Sequence, residues 1–127
     1  MQLTFTVAQW IVRVCGVLLL ILGLLFWTGE ARGLVPVHML LGVLLVLGLW
    51  LLAAVASQMG VPMGLVASAV VLGIIVLALG FTQTSLLPGP SHWIIQVLHL
   101  LVGAAAIANG EMIGGRLRRN RLAASTA

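Results

Sequence analysis

The chain has no lysine and no tyrosine, and its only acids are Glu30 and Glu111. Charged residues make up 6% of it, against about a quarter in an ordinary soluble domain. So small a charge complement excludes a solvated globular surface. With 62% hydrophobic residues and a mean hydropathy of +1.27, most of the 127 residues must face something other than water. No Gly-rich phosphate loop, Ser-His-Asp arrangement or metal-binding carboxylate cluster is present, so the chemistry of soluble enzymes has no support. Cys15, the only cysteine, excludes an intrachain disulfide and reads as a small buried hydrophobe.

All six basic residues are arginines: Arg13, Arg32, Arg116, Arg118, Arg119 and Arg121. The resulting pI of 11.7 is not a nucleic-acid footprint. Four of the six form "RLRRNR", directly after a hydrophobic segment, which is the pattern of a positive-inside stop signal. Such a tail also touches anionic lipid headgroups.

What fills the chain is four apolar runs of about 20 residues, each long enough to cross a bilayer core of ~30 Å. They cover residues 8–27, 35–56, 61–81 and 92–113. "TGEARG" separates the first two, the short turn "SQMGVPMG" the second and third, and "TQTSLLPGPS" the last two. The segment before the first run lacks the basic start of a signal peptide, so that run is expected to stay as a membrane helix. The fold expected is all-α, an integral membrane antiparallel four-helix bundle in one domain. Both termini are expected in the cytoplasm of a bacterial-type inner or plasma membrane, with a basic tail over 114–127 that frays after Gly114 and Gly115. Trp10, Trp27, Trp50 and Trp93 mostly mark span ends.

The runs repeat. The first helix carries Gly16 and Gly23 in "GVLLLILG", the third Gly73 and Gly80 in "GIIVLALG". Each is followed, after a loop, by a helix with His-x3-Gly: His38 and Gly42 in "HMLLG", His99 and Gly103 in "HLLVG". Gly23 precedes His38 by 15 residues and Gly80 precedes His99 by 19, the difference fitting in the longer second loop. The chain thus reads as two repeated helical hairpins entering the membrane in the same direction, about a pseudo-twofold axis along its normal.

An ionisable residue inside a membrane is a functional candidate by default. The plain alternative is a neutral imidazole bonded to a backbone carbonyl. At 1.5 Å per residue, His38 and His99 lie roughly 5 and 10 Å below the outer boundary, near enough to face each other at one level. Two nitrogen ligands are too few for tetrahedral zinc. They suffice for haem, whose macrocycle supplies the other four donors to iron. Gly42 and Gly103 lie one turn below the histidines, where the missing side chain admits a flat ring. Gly23 and Gly80 give clearance at its other two edges, unless these glycines serve only close helix packing.

With these two motifs the chain resembles the membrane b-type cytochromes, whose four-helix bundles hold haem b between histidines on different helices. The resemblance implies a bis-histidine site for haem b and a role in electron transfer. Those cytochromes generally carry two haems, one near each face. This chain has no histidine in its cytoplasmic half, so one haem near the outer face is expected. No Cys-x-x-Cys-His occurs, so covalent attachment is not.

Arg32 and His92, at the outer starts of the second and fourth helices, are the candidate partners for haem propionates. Arg13 lies roughly 15 Å deeper than Gly23 and Glu111 roughly 18 Å deeper than His99, where an unpaired charge is costly, and the two are expected to form an ion pair. Gln9, Gln58, Gln96 and Asn109 are candidates for bonds between helices. The redox partner is a quinol, superoxide or a redox protein, and an oligomer is open; if the chain is an enzyme it is an oxidoreductase. Two alternatives stand: a cofactor-free bundle that carries a small solute or assembles with other subunits, and a haem sensor or carrier. Small multidrug transporters share the length and helix number, but depend on a carboxylate in the first helix where this chain has Arg13.

Overall fold

The computed structural model describes residues 2–125. They form four long helices: α1 (Gln2–Trp27), α2 (Val35–Gln58), α3 (Met63–Thr82) and α4 (His92–Ser125). Short 3-10 turns, Arg32–Leu34 and Gln83–Ser85, lie in the two longer connections. Proline punctuates the starts. Pro36 occupies the first turn of α2, where a missing N–H costs nothing, and Pro62 directly precedes α3. The α2–α3 turn is the tightest. Gly60 adopts φ +69°, and the N–H of Val61 reaches back to the carbonyl of Ala56 at 3.3 Å, closing a Schellman cap.

Neighbouring helices run antiparallel. α1 packs on α2 and α4, α3 packs on α2 and α4, and α2 touches α4 across the diagonal. All four are long and apolar enough to span a membrane, and leucines, valines and isoleucines are exposed along each. Lipid is the solvent that accepts such a surface, and helices are the form that satisfies every backbone group there. The chain is a multi-pass membrane protein.

The spans are longer at the termini than the hydropathy pattern suggests. α1 already begins at Gln2. α4 does not fray after Gly114–Gly115 but continues to Ser125, because that stretch has something to pack on. The side chain of Gln9 lies directly on Gly114, the Arg121 guanidinium stacks 4.5 Å from the Phe5 ring centroid, and Asn120 Nδ2 donates to the Met59 carbonyl at 2.9 Å. Residues 126 and 127 of the expected basic tail lie outside the described residues.

Packing is uneven along the bundle axis. Val12, Leu45, Val46, Leu49, Leu52, Ile113 and Leu117 are fully buried, and they run from the middle of the bundle toward the end that holds Gln2, the α2–α3 turn and Ser125. We call this the terminal end. Toward the opposite loop end, with the 28–34 and 83–91 connections, the contiguous core stops, and Ile95 is buried apart from it. Several helical glycines follow the same division. At the packed end they are contact points: a Cβ at Gly48 would lie 2.9 Å from Ile11 Cγ2, and one at Gly110 3.0 Å from Val12 Cγ1. Trp50 folds over Gly73 rather than marking a membrane interface. At Gly42 and Gly103 an added Cβ would meet nothing within 4 Å. Since lipid tails are as apolar as leucine, helix association here rests on such close contacts rather than on a hydrophobic drive.

One substitution placed twice on α2 reads this division. Gly48→Leu overpacks the seam with α1 and is expected to cost about 1–3 kcal/mol, whereas Gly42→Leu enters open space and leaves stability unchanged. Thermal unfolding in detergent, followed by circular dichroism, measures both; equal losses would mean that the bundle is packed uniformly.

Candidate functional site

The loop end of the bundle encloses a cavity of about 650 Å3. That is within the range of sites for cofactors and drug-sized ligands, about 300–1,000 Å3. Its walls come from all four helices, with Leu45, Val76 and Ile107 toward the packed end. The eight residues expected at a cofactor site from the sequence all line it: Gly23, Arg32, His38, Gly42, Gly80, His92, His99 and Gly103.

The two histidines meet across it. His38 projects from α2 and His99 from α4, with ring centroids 6.3 Å apart and ring planes inclined by 47°. Each rests beside a glycine of the preceding helix. A Cβ at Gly23 would lie 3.9 Å from His38 Cε1, and one at Gly80 3.6 Å from His99 Cε1. These two glycines therefore back the imidazoles as well as bordering the cavity, a position set by the antiparallel packing of α1 on α2 and α3 on α4. Phe26, with its ring 5.3 Å from that of His38, also belongs to the site. Nothing in the run "LLFWTG" marks which face of α1 it takes.

The polar inventory of the site is unusual. Nδ1 of His38 and Nδ1 of His99 are both buried with no hydrogen-bond partner, so neither ring is tied to a backbone carbonyl. A buried polar atom left in that state costs about 1–3 kcal/mol. Gln96 lines the cavity and makes no protein hydrogen bond among the described residues. At the mouth, Arg32 has no ion-pair partner among the described residues. His92 is partly engaged, its Nδ1 lying 3.1 Å from the Leu86 carbonyl, to which it donates; this bond anchors the 83–91 loop.

Among the described residues no three of His, Cys, Asp or Glu gather to hold a metal ion. A tetrahedral metal would lack ligands here, whereas a metal that brings its own macrocycle needs only two. The spacing fits that case. A ligating imidazole nitrogen stands about 2.0–2.1 Å from its metal, and the 6.3 Å between the ring centroids leaves room for one ion between the two rings. The open space beside Gly42 and Gly103 is where a flat ring between the imidazoles would extend.

Away from the cavity, at the terminal end, the two charges inside the spans pair as expected. Arg13 Nε donates to Glu111 Oε1 at 2.7 Å and Arg13 Nη2 to Glu111 Oε2 at 2.8 Å, a bidentate bridge from α1 to α4. Gln9 extends it, with Nε2 3.5 Å from Glu111 Oε2 and Oε1 accepting from Arg118 Nη1 at 2.9 Å. Asn109 Nδ2 donates to Ser68 Oγ at 2.6 Å, joining α4 to α3. Gln58 and Gln96, the other two amides proposed for such bonds, make none among the described residues, and Gln58 is exposed.

Comparison with known protein families, characterised proteins and solved structures returned no match. The functional reading therefore stands on the residues and their geometry.

The bidentate bridge makes Arg13 and Glu111 a coupled pair. Arg13→Gln and Glu111→Gln are each expected to lower the unfolding midpoint in detergent, and the double variant to lose less than the sum, with a coupling of about 0.5–3 kcal/mol. Strictly additive losses would show that the two side chains do not act on each other.

Proposed function

We propose that this protein binds one b-type haem between His38 and His99 and serves in electron transfer near the outer face of the membrane. The observation that carries this reading is the pair of imidazoles, held on different helices with centroids 6.3 Å apart, at a cavity of about 650 Å3. When bound, haem supplies one-electron redox chemistry at its iron. The residues of the chain do the rest. His38 and His99 would each give one ring nitrogen to the iron, and two protein ligands would favour electron transfer over oxygen binding. Gly42 and Gly103 leave room for the macrocycle against α2 and α4. Arg32 and the free nitrogen of His92 stand at the cavity mouth, where the negative propionates seek the aqueous edge.

The orientation follows from charge. By the positive-inside rule the helix end bearing Arg116, Arg118, Arg119 and Arg121 faces the cytoplasm of a bacterial-type inner or plasma membrane. The cavity then opens toward the outer face. A single haem there does not bridge ~30 Å of membrane. The electron partner is accordingly one that reaches the outer half: a quinol, superoxide or a redox protein.

Titration of the detergent-purified protein with haemin, followed by absorption, tests the assignment. The wild type is expected to take up one equivalent with a low-spin spectrum. His38→Ala and His99→Ala should each lose that spectrum. Gly42→Leu, which leaves both ligands in place but fills the space beside one, should weaken uptake at least tenfold. Retention of the wild-type spectrum by both histidine variants would refute the ligation and move a cofactor-free bundle to first place.

A further inference from the structure

A second polar site lies at the other end of the bundle, where α1 meets the extended part of α4. A small open cavity of about 150 Å3 is lined there by Phe5, Thr6, Gln9, Trp10, Arg13 and Arg118. Its cationic walls are positioned by the protein. Glu111 holds Arg13 through two bonds, and Gln9 Oε1 holds Arg118 through one. Neither arginine is exhausted by these bonds: Arg13 Nη1 and Arg118 Nε and Nη2 have no protein acceptor among the described residues. The corner thus sets two arginines, Arg13 and Arg118, beside one carboxylate, with Arg121 stacked on the neighbouring Phe5.

We propose that this corner binds the phosphate of one anionic phospholipid. The excess positive charge calls for an anion, and arginine is the side chain best suited to phosphate oxygens. The surroundings call for a lipid rather than a free ion. Trp10, Val14, Val17 and Ile21 are all exposed and recur at helical spacing along one face of α1, so an apolar stripe leads from the corner toward the membrane interior. Trp10 belongs to both the stripe and the cavity. A headgroup phosphate accepting from Arg13 and Arg118 places its acyl chains along that stripe. Basic pockets between membrane helices bind anionic headgroups in this manner. The lipid would also clamp the N-terminal turns of α1 to the helical extension of α4. This site is separate from the histidine cavity and does not depend on what that cavity holds.

Native mass spectrometry of the full-length protein, released from detergent containing equal amounts of phosphatidylglycerol and phosphatidylcholine, tests the proposal. One phosphatidylglycerol is expected to be retained in preference to phosphatidylcholine. Arg118→Gln should lower that preference about 5-fold. Arg119→Gln, which removes the same charge from a residue off the cavity, should leave it unchanged, and excess inorganic phosphate should not displace the lipid. Equal retention of the two lipids, or equal loss in both variants, would overturn the site. Displacement by inorganic phosphate would overturn the lipid as its ligand.

Discussion

Lipid offers no hydrogen bonds, so a polar atom inside a membrane bundle must find its partner in protein, in water or in a ligand. His38 and His99 do not find one in the protein: both Nδ1 atoms are buried without a partner. Their rings instead lie 6.3 Å apart, centroid to centroid, beside a cavity that both residues line. That arrangement governs the loop end of the bundle. It requires α2 and α4 to stand apart there, so the core that fills the terminal end must stop below the imidazoles. It requires a small residue behind each ring, which Gly23 and Gly80 supply. And it leaves a hollow that glycine, at positions 42 and 103, keeps open.

The terminal end shows the opposite solution with the same residue type. Gly48, Gly73 and Gly110 are contact points where a side chain from a neighbouring helix occupies the position a Cβ would take. A bundle without hydrophobic drive between its helices depends on such contacts. The bidentate Arg13–Glu111 bridge and the Gln9–Arg118 bond add directional links between α1 and α4. The rigid half thus holds the helices in register, and the hollow half inherits its geometry. Opposed imidazoles at a defined separation need that kind of support, since a site held only by its own walls would collapse on empty space.

Much of this is visible in the residue order. Four runs of about twenty apolar residues, cut by glycine and proline, already imply four helices, and His-x3-Gly occurring twice singles out the two helices that carry the histidines of the cavity. Arg13 and Glu111 were legible as a pair because an isolated charge at that depth is costly. Other features were not. "GVLLLILG" and "GIIVLALG" show two glycines each, but not that the first packs against a neighbour while the second backs a histidine. That distinction depends on helix rotation, and sequences this uniformly apolar carry no amphipathic signal to set it. Phe26 and Trp50 escaped for the same reason. The helical run from Gly114 to Ser125 was hidden because its local signals, two adjacent glycines followed by arginines, read as a stop. Contacts with Phe5 and Gln9, more than a hundred residues earlier, outweigh them.

The central claim is that the hollow between His38 and His99 exists to hold haem. The most direct test is the visible spectrum of wild-type protein purified from membranes in detergent, recorded oxidised and then reduced with dithionite. A sharp Soret band with resolved α and β bands on reduction is the predicted result. A preparation that is colourless, and stays colourless when haemin is added, would contradict it.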